Sequence, residues 1–187
     1  VSGGENIPLV INYPLTIKNR VIEKIRTFTQ IFFRATPNFK NTMEEASLIL
    51  VTTEETKNLI PVKYHEKIKV MQSIFLYDDF FDPKPKGENS NICKILVAGR
   101  MIYWKGFELA IWSFISALEK GCNAELTILG DTDDGHSTLK SYLESLCGKY
   151  SNRIKFISKI DYSKMKDFYD EFDILLNCSL RDSGCFV

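Results

Sequence analysis

Several stretches of the chain join residue types that can bind or react. The first is Gly99-Arg100-Met101-Ile102-Tyr103-Trp104-Lys105-Gly106-Phe107. The Arg100 guanidinium can grip phosphate oxygens in a bidentate way, and Lys105 can neutralise them as a point charge. Gly106 lets backbone N–H groups approach an anion at the edge of the following helix. The plainer alternative is a solvated Arg and Lys closing a loop. A second stretch, Ser179-Leu180-Arg181-Asp182-Ser183-Gly184, offers one carboxylate, Asp182, although Arg-Asp-Ser-Gly is also good turn chemistry. Gly3-Gly4-Glu5 can form a glycine loop that brings backbone close to a ligand, or an ordinary turn.

Metal chemistry finds less support. Asp131-Thr132-Asp133-Asp134-Gly135-His136 looks like a calcium loop, but the register fails. Counting from Asp131, glycine falls at position 5 and Tyr142 at position 12, where an EF-hand loop needs Gly at 6 and Glu at 12. The reading is a surface loop, with Asp134 or Ser137 capping the next helix. The five cysteines, at 93, 122, 147, 178 and 185, form no C-x-x-C pair, and only His65 and His136 could assist them. Most of them border apolar runs, as small buried hydrophobes do.

The elements that must hold these residues follow from periodicity. Ile17, Val21, Ile25, Phe28 and Phe32 recur at spacings of three and four, which predicts an amphipathic helix over 14–34. Pro37 suits the first turn of a second helix through Ala46. A strand at 47–53, a short helix at 54–59 and a strand at 68–71 complete this region, which reads as the tail of an α/β domain. Residues 78–91 are polar, contain Pro83, Pro85 and Gly87, and predict a linker. Strands at 92–99, 124–130, 153–158 and 173–179 then alternate with helices at 107–120, 137–150 and 163–172. Such a run builds a right-handed, doubly wound parallel sheet, so the fold class is α/β. Ligands on these sheets bind beyond the carboxyl ends of the strands. Those ends are Gly99-Arg100, Gly130-Asp131, Ser158-Lys159 and 179–184, which adds Gly130 and Ser158 to the candidate binding residues.

Composition removes some classes. The 187 residues carry 24 Lys+Arg against 24 Asp+Glu, and both halves are balanced, so no basic face for nucleic acid is expected. An odd number of unframed cysteines fits a reducing compartment. The first residues show no signal-peptide pattern, and no apolar run reaches the roughly 20 residues of a membrane helix. The helix over 14–34 carries Lys18, Arg20, Lys24, Arg26 and Arg34 against Glu23 alone. It either packs its apolar stripe into a core with a solvated basic face, or lies on an anionic membrane surface.

Gly99-Arg100 with Trp104-Lys105-Gly106-Phe107, Ala110, Leu126-Thr127-Ile128-Leu129-Gly130 and Asp173-Ile174-Leu175-Leu176 resembles the family-4 retaining glycosyltransferases of the GT-B fold. The resemblance covers most of residues 93–187. Fainter likeness upstream, in 2–5, 41–46 and 50–56, is similar to the late part of the acceptor-side domain. It implies three regions: 1–77 as the end of the acceptor-side domain, 78–91 as linker, and 92–187 as a nucleotide-sugar donor-binding Rossmann-like domain.

By this resemblance Arg100 and Lys105 would hold the diphosphate of a nucleotide-sugar, with Gly106, Gly130 and Ser158 lining the donor site. Gly3 and Gly4 would belong to an acceptor or phosphate loop. The family's Glu-x7-Glu pair places its first acid at Asp182, one methylene shorter than Glu, as the catalytic candidate. The second acid would fall at position 190, so the resemblance implies a fragment that ends inside the motif. It also implies metal-independent transfer without a cofactor, a glycan or lipid-linked acceptor, and a cytoplasmic place with membrane contact open. Two rival readings stand beside it. One is a non-catalytic nucleotide- or partner-binding half of a split or degenerate transferase. The other is a flavodoxin-like regulatory domain, which would want an acidic pocket where Gly99-Arg100 puts a cation.

Overall fold

The computed structural model describes residues 17–71, 91–131 and 137–180. They form two compact units, α1 to β2 and β3 to β6.

The first unit begins with helix α1 (Ile17–Ala35), followed by α2 (Pro37–Glu45). Pro37 takes the first helical turn, and Thr36 caps it by accepting from the Phe39 N–H at 3.3 Å. Strand β1 (Ile49–Val51) and helix α3 (Glu54–Asn58) come next, with Thr53 accepting from the Thr56 N–H at 3.1 Å. A 3-10 turn (Val62–Lys67) leads into β2 (Ile68–Val70), which pairs in parallel with β1. Glu44 clips this turn to α2. Its Oε1 accepts from Lys63 Nζ at 3.0 Å and from Tyr64 OH at 3.2 Å, and its backbone carbonyl accepts from Lys67 Nζ at 2.7 Å. Those bonds hold the Glu44 carboxyl below its ordinary pKa, the Lys63 hydrogen bond contributing most.

The amphipathic helix forms, but its apolar stripe faces outward. Val21, Ile25, Phe28 and Phe32 are exposed, whereas Glu23, Arg26 and Thr27 are half-buried. Among the described residues that stripe is left exposed, and polar residues occupy the opposite side of the helix. The Phe33–Phe39 edge contact, at 5.7 Å between centroids, ties the helix to α2.

The second unit is a four-stranded parallel sheet with strand order β5-β4-β3-β6. Its strands are β3 (Cys93–Ala98), β4 (Ala124–Leu129), β5 (Ile154–Ile157) and β6 (Ile174–Leu175). The connecting helices are α4 (Phe107–Glu119), α5 (Ser137–Leu146) and α6 (Tyr162–Asp170). The core gathers Val97, Leu126 and Ile128 from the sheet, Phe107, Ala110, Ile111 and Phe114 from α4, and Leu143 from α5. These are the near-continuous apolar strands and the helix stripe that a sheet covered by helices demands.

Three details differ from expectation. Strand β6 is two residues long, because Asn177 Oδ1 accepts from the Ser179 N–H at 3.0 Å and turns the backbone out of the ladder. Helix α5 stops at Leu146, and Gly148, a poor helix former, opens a 3-10 turn through Arg153. Cys122, one of the cysteines read as small buried hydrophobes, is exposed.

Candidate functional site

The chain leaves β3 in one direction for β4 and β5, then crosses back to place β6 on the other side of β3. The switch point therefore lies at the carboxyl ends of β3 and β6, where a ligand crevice is expected. Backbone bonds extend the ladder past the strands and set this rim. The Gly99 N–H donates to the Leu129 carbonyl at 3.0 Å, the Gly130 N–H to Ile157 at 2.9 Å, and the Met101 N–H to Asp131 at 3.0 Å. With β3, β4 and β5 in register, Gly99, Gly130 and Ser158 follow one another across the sheet edge. Ser158 and Arg100 are exposed, and Gly130 is half-buried.

Between Arg100 and Lys105 the chain turns sharply. The Ile102 N–H donates to the Arg100 carbonyl at 2.8 Å, and Tyr103–Lys105 form a 3-10 turn closed by the Lys105 N–H on the Ile102 carbonyl at 3.0 Å. The turn folds Lys105 back, so that its Cδ and Cε lie 3.9 Å from where a Cβ on Gly99 would stand. The two predicted cations thus come to one strand end. Gly106 then starts α4 in the left-handed region, at φ +69, and no side chain caps this helix start. A helix opening of this kind offers N–H groups and a partial positive charge to an anion.

The structure assigns the two rim glycines a packing role that sequence reasoning did not foresee. A Cβ on Gly106 would sit 2.1 Å from the Cys178 carbonyl oxygen, and a Cβ on Gly130 would sit 2.1 Å from the Gly99 carbonyl oxygen. Each glycine admits main chain that follows the end of a strand. Burial raises the Cys178 thiol pKa, which keeps it protonated and unreactive at neutral pH.

Two further features lay outside the sequence reading. Glu108, in the first turn of α4, is 8% exposed and is the buried acid among the described residues. Its signal was an acid just after a helix-opening glycine, where the helix dipole favours negative charge. The Tyr103 and Trp104 rings meet edge to face with centroids 4.8 Å apart, which gives the turn between the cations a rigid body.

Asp182, Gly3 and Gly4 lie outside the described residues, as do 132–136 of the acidic loop and all but Asn91 of the 78–91 stretch. His65 is structural, with Nε2 2.9 Å from the Ile60 carbonyl oxygen. Among the described residues, no three His, Cys, Asp or Glu side chains gather as a metal site. No helix among them is long and apolar enough to cross a membrane.

No protein-family model matches the sequence, and no curated protein matches it. Solved structures do match. A glycosyltransferase from Rickettsia africae aligns with a TM-score of 0.61 at 20% identity, over 77% of this chain and 42% of that one. A trehalose-6-phosphate synthase, studied for glycosyl transfer with retention, aligns at 0.60 and 17%, over 81% and 44%. The Anabaena protein HepE in complex with UDP-glucose aligns at 0.54 and 17%, over 72% and 38%. The fold is thus the α/β fold of GT-B glycosyltransferases, and the chain spans less than half the length of these neighbours.

Proposed function

We propose that this chain belongs to a glycosyltransferase that moves a sugar from a nucleotide diphosphate donor to an acceptor hydroxyl with retention at the anomeric carbon. The observation that carries the reading is the convergence of Arg100, Lys105 and the uncapped α4 start at the carboxyl end of β3, beside the switch point. In the reaction the acceptor oxygen bonds the anomeric carbon while the bond from that carbon to the diphosphate oxygen breaks. The electron pair departs with the diphosphate, and the acceptor's proton is released. Negative charge therefore grows on the diphosphate, where a guanidinium, an ammonium and helix N–H groups stabilise it without reorganising. Those groups support metal-independent transfer with no cofactor.

Asp182, by the resemblance, acts near the donor sugar, while Gly130 and Ser158 border the donor. Gly3 and Gly4 belong to the acceptor side. The acceptor is a glycan or a lipid-linked sugar in surface polysaccharide or glycan synthesis. The unframed cysteines favour a cytoplasmic place.

Calorimetric titration with UDP, GDP and ADP tests the site. Arg100→Ala and Lys105→Ala are each expected to weaken the preferred nucleotide diphosphate about tenfold or more, as loss of a charge-assisted contact does. Unchanged affinity in both variants removes the phosphate assignment. Tight binding with no sugar transfer from any donor would favour the binding-only alternative.

A further inference from the structure

Three neighbouring strands end in the same two-residue pattern, a small residue and then a charged one. These are Gly99-Arg100 after β3, Gly130-Asp131 after β4 and Ser158-Lys159 after β5. The ladder sets them side by side, since Ala98 pairs with Leu129 and Leu129 with Ile157. Past those pairs the Gly130 N–H still donates to Ile157 at 2.9 Å, and the Met101 N–H to Asp131 at 3.0 Å, so the register runs on into the rim. Neighbouring strands lie about 4.8 Å apart, which puts the main chain of Asp131 one step from Arg100 and that of Lys159 two steps, about 10 Å, away. Arg100, Asp131 and Lys159 are all exposed. The β6 side of the rim offers less to a polar ligand among the described residues. There the Cys178 main chain stands against Gly106, Asn177 Oδ1 accepts from the Ser179 N–H, and Leu180 is buried. With a diphosphate at the end of β3, the charged groups left for the rest of a nucleotide are those after β4 and β5.

We infer that Asp131 and Lys159 read the base of the donor nucleotide and select guanine, so that the donor is a GDP-sugar. The inference rests on the diphosphate reading of Arg100 and Lys105 and adds the base to it. A carboxylate only accepts hydrogen bonds, and an ammonium only donates them. The Watson–Crick edge of guanine has two adjacent donors, N1–H and the N2 amino group, followed by the O6 acceptor. One carboxylate can take both donors, and one ammonium can serve O6, all as charge-assisted bonds. Every other common base sets an acceptor against a carboxylate oxygen: O2 in uracil, N1 in adenine, N3 in cytosine. That clash of acceptors rejects them, as an affinity for guanine alone would not. The ribose between diphosphate and base spans the step from the end of β3 to the ends of β4 and β5.

The test is calorimetric titration of the whole chain with GDP, UDP, ADP, CDP and xanthosine diphosphate. The parent should prefer GDP by about tenfold or more. Asp131→Asn keeps the shape of the side chain but turns one acceptor into a donor. It should lower GDP affinity about a hundredfold and confer binding of xanthosine diphosphate, whose C2 carbonyl accepts where the guanine amino group donates. Lys159→Met should lower GDP affinity about tenfold and leave UDP unchanged. Equal or tighter binding of UDP by the parent overturns the inference and leaves the phosphate grip standing. An Asp131→Asn variant that weakens GDP, UDP and ADP alike, or gains no xanthosine diphosphate, also overturns it, since Asp131 would then only hold the rim. A parent that binds no nucleotide diphosphate ends the donor-site reading and this inference together.

Discussion

The two units bury their apolar residues to very different degrees. In the β3–β6 unit, Phe107 at 1% exposure sits among Ile111, Leu126, Ile128 and Leu143, all fully enclosed. Among the described residues of the α1–β2 unit the buried apolar ones are Phe39, Val51, Tyr64 and Ile68, while Leu48, Leu50, Val70 and Met71 are exposed, as the α1 stripe is. A hydrophobic pattern in sequence therefore announces a helix or strand in both units, yet only in one does it announce a core. The difference lies in what stands opposite each face. Strands β3 and β4 have neighbours on both sides, and β3 and β4 are covered by α4 and α5. Among the described residues the β1–β2 pair is two strands wide.

The largest expected contrast comes from one residue type placed in both regions. Phe107→Ala should destabilise the chain by about 3–5 kcal/mol through the cavity it leaves, whereas Phe28→Ala should stay within about 0.5 kcal/mol. Urea unfolding followed by circular dichroism reads both. A comparable loss at Phe28 would mean that the α1 stripe is covered in solution, and the contrast between the units would collapse.

A second contrast works inside the β3–β6 unit. Gly106 and Gly121 both adopt positive φ, +69 and +90, but a Cβ at Gly121 meets nothing within 4 Å. Gly121→Ala should cost about 1 kcal/mol of backbone strain. Gly106→Ala adds the collision with the Cys178 carbonyl and should cost about 2–3 kcal/mol in thermal melts. Nucleotide titration of Gly106→Ala should show weakened binding as Lys105 is displaced, and Gly121→Ala should leave it unchanged.

The smallest effect belongs to the α1–β2 unit. The folded Glu44 carboxyl is held below its ordinary value of 4.5, so its contribution to stability is present above that pH and lost as pH falls through the lower folded value. Glu44→Gln should flatten that acid limb, and because the group is exposed the change will be slight. Unfolding midpoints compared at pH 6 and on the acid side of 4.5 would measure it.

Much of the β3–β6 unit was legible because its signals are local. Val97, Leu126 and Ile128 lie in short apolar runs, Gly121 ends a helix, and strand–helix alternation allows few topologies. The placing of Arg100 and Lys105 at the end of β3 was legible because the carboxyl ends of strands can be counted from sequence. The early end of β6 was harder to foresee, since an Asn177 side chain competing for a backbone N–H leaves no hydrophobic trace. The outward turn of α1 could not be read, because periodicity gives a stripe and not its direction. Nor could the seating of Gly106 on Cys178, which joins residues far apart in sequence.

That seating changes what variation at the rim can tell. The obstruction at 106 is the peptide of Cys178, and at 130 it is the peptide of Gly99, so no choice of smaller or softer side chain nearby could make room for a larger residue. At these two positions the alphabet is cut to one letter by main chain running on from the end of a strand. Their invariance in any library of functional variants would measure how tightly the sheet edge closes, and the chemistry of the rim would have to be read from Arg100 and Lys105 instead.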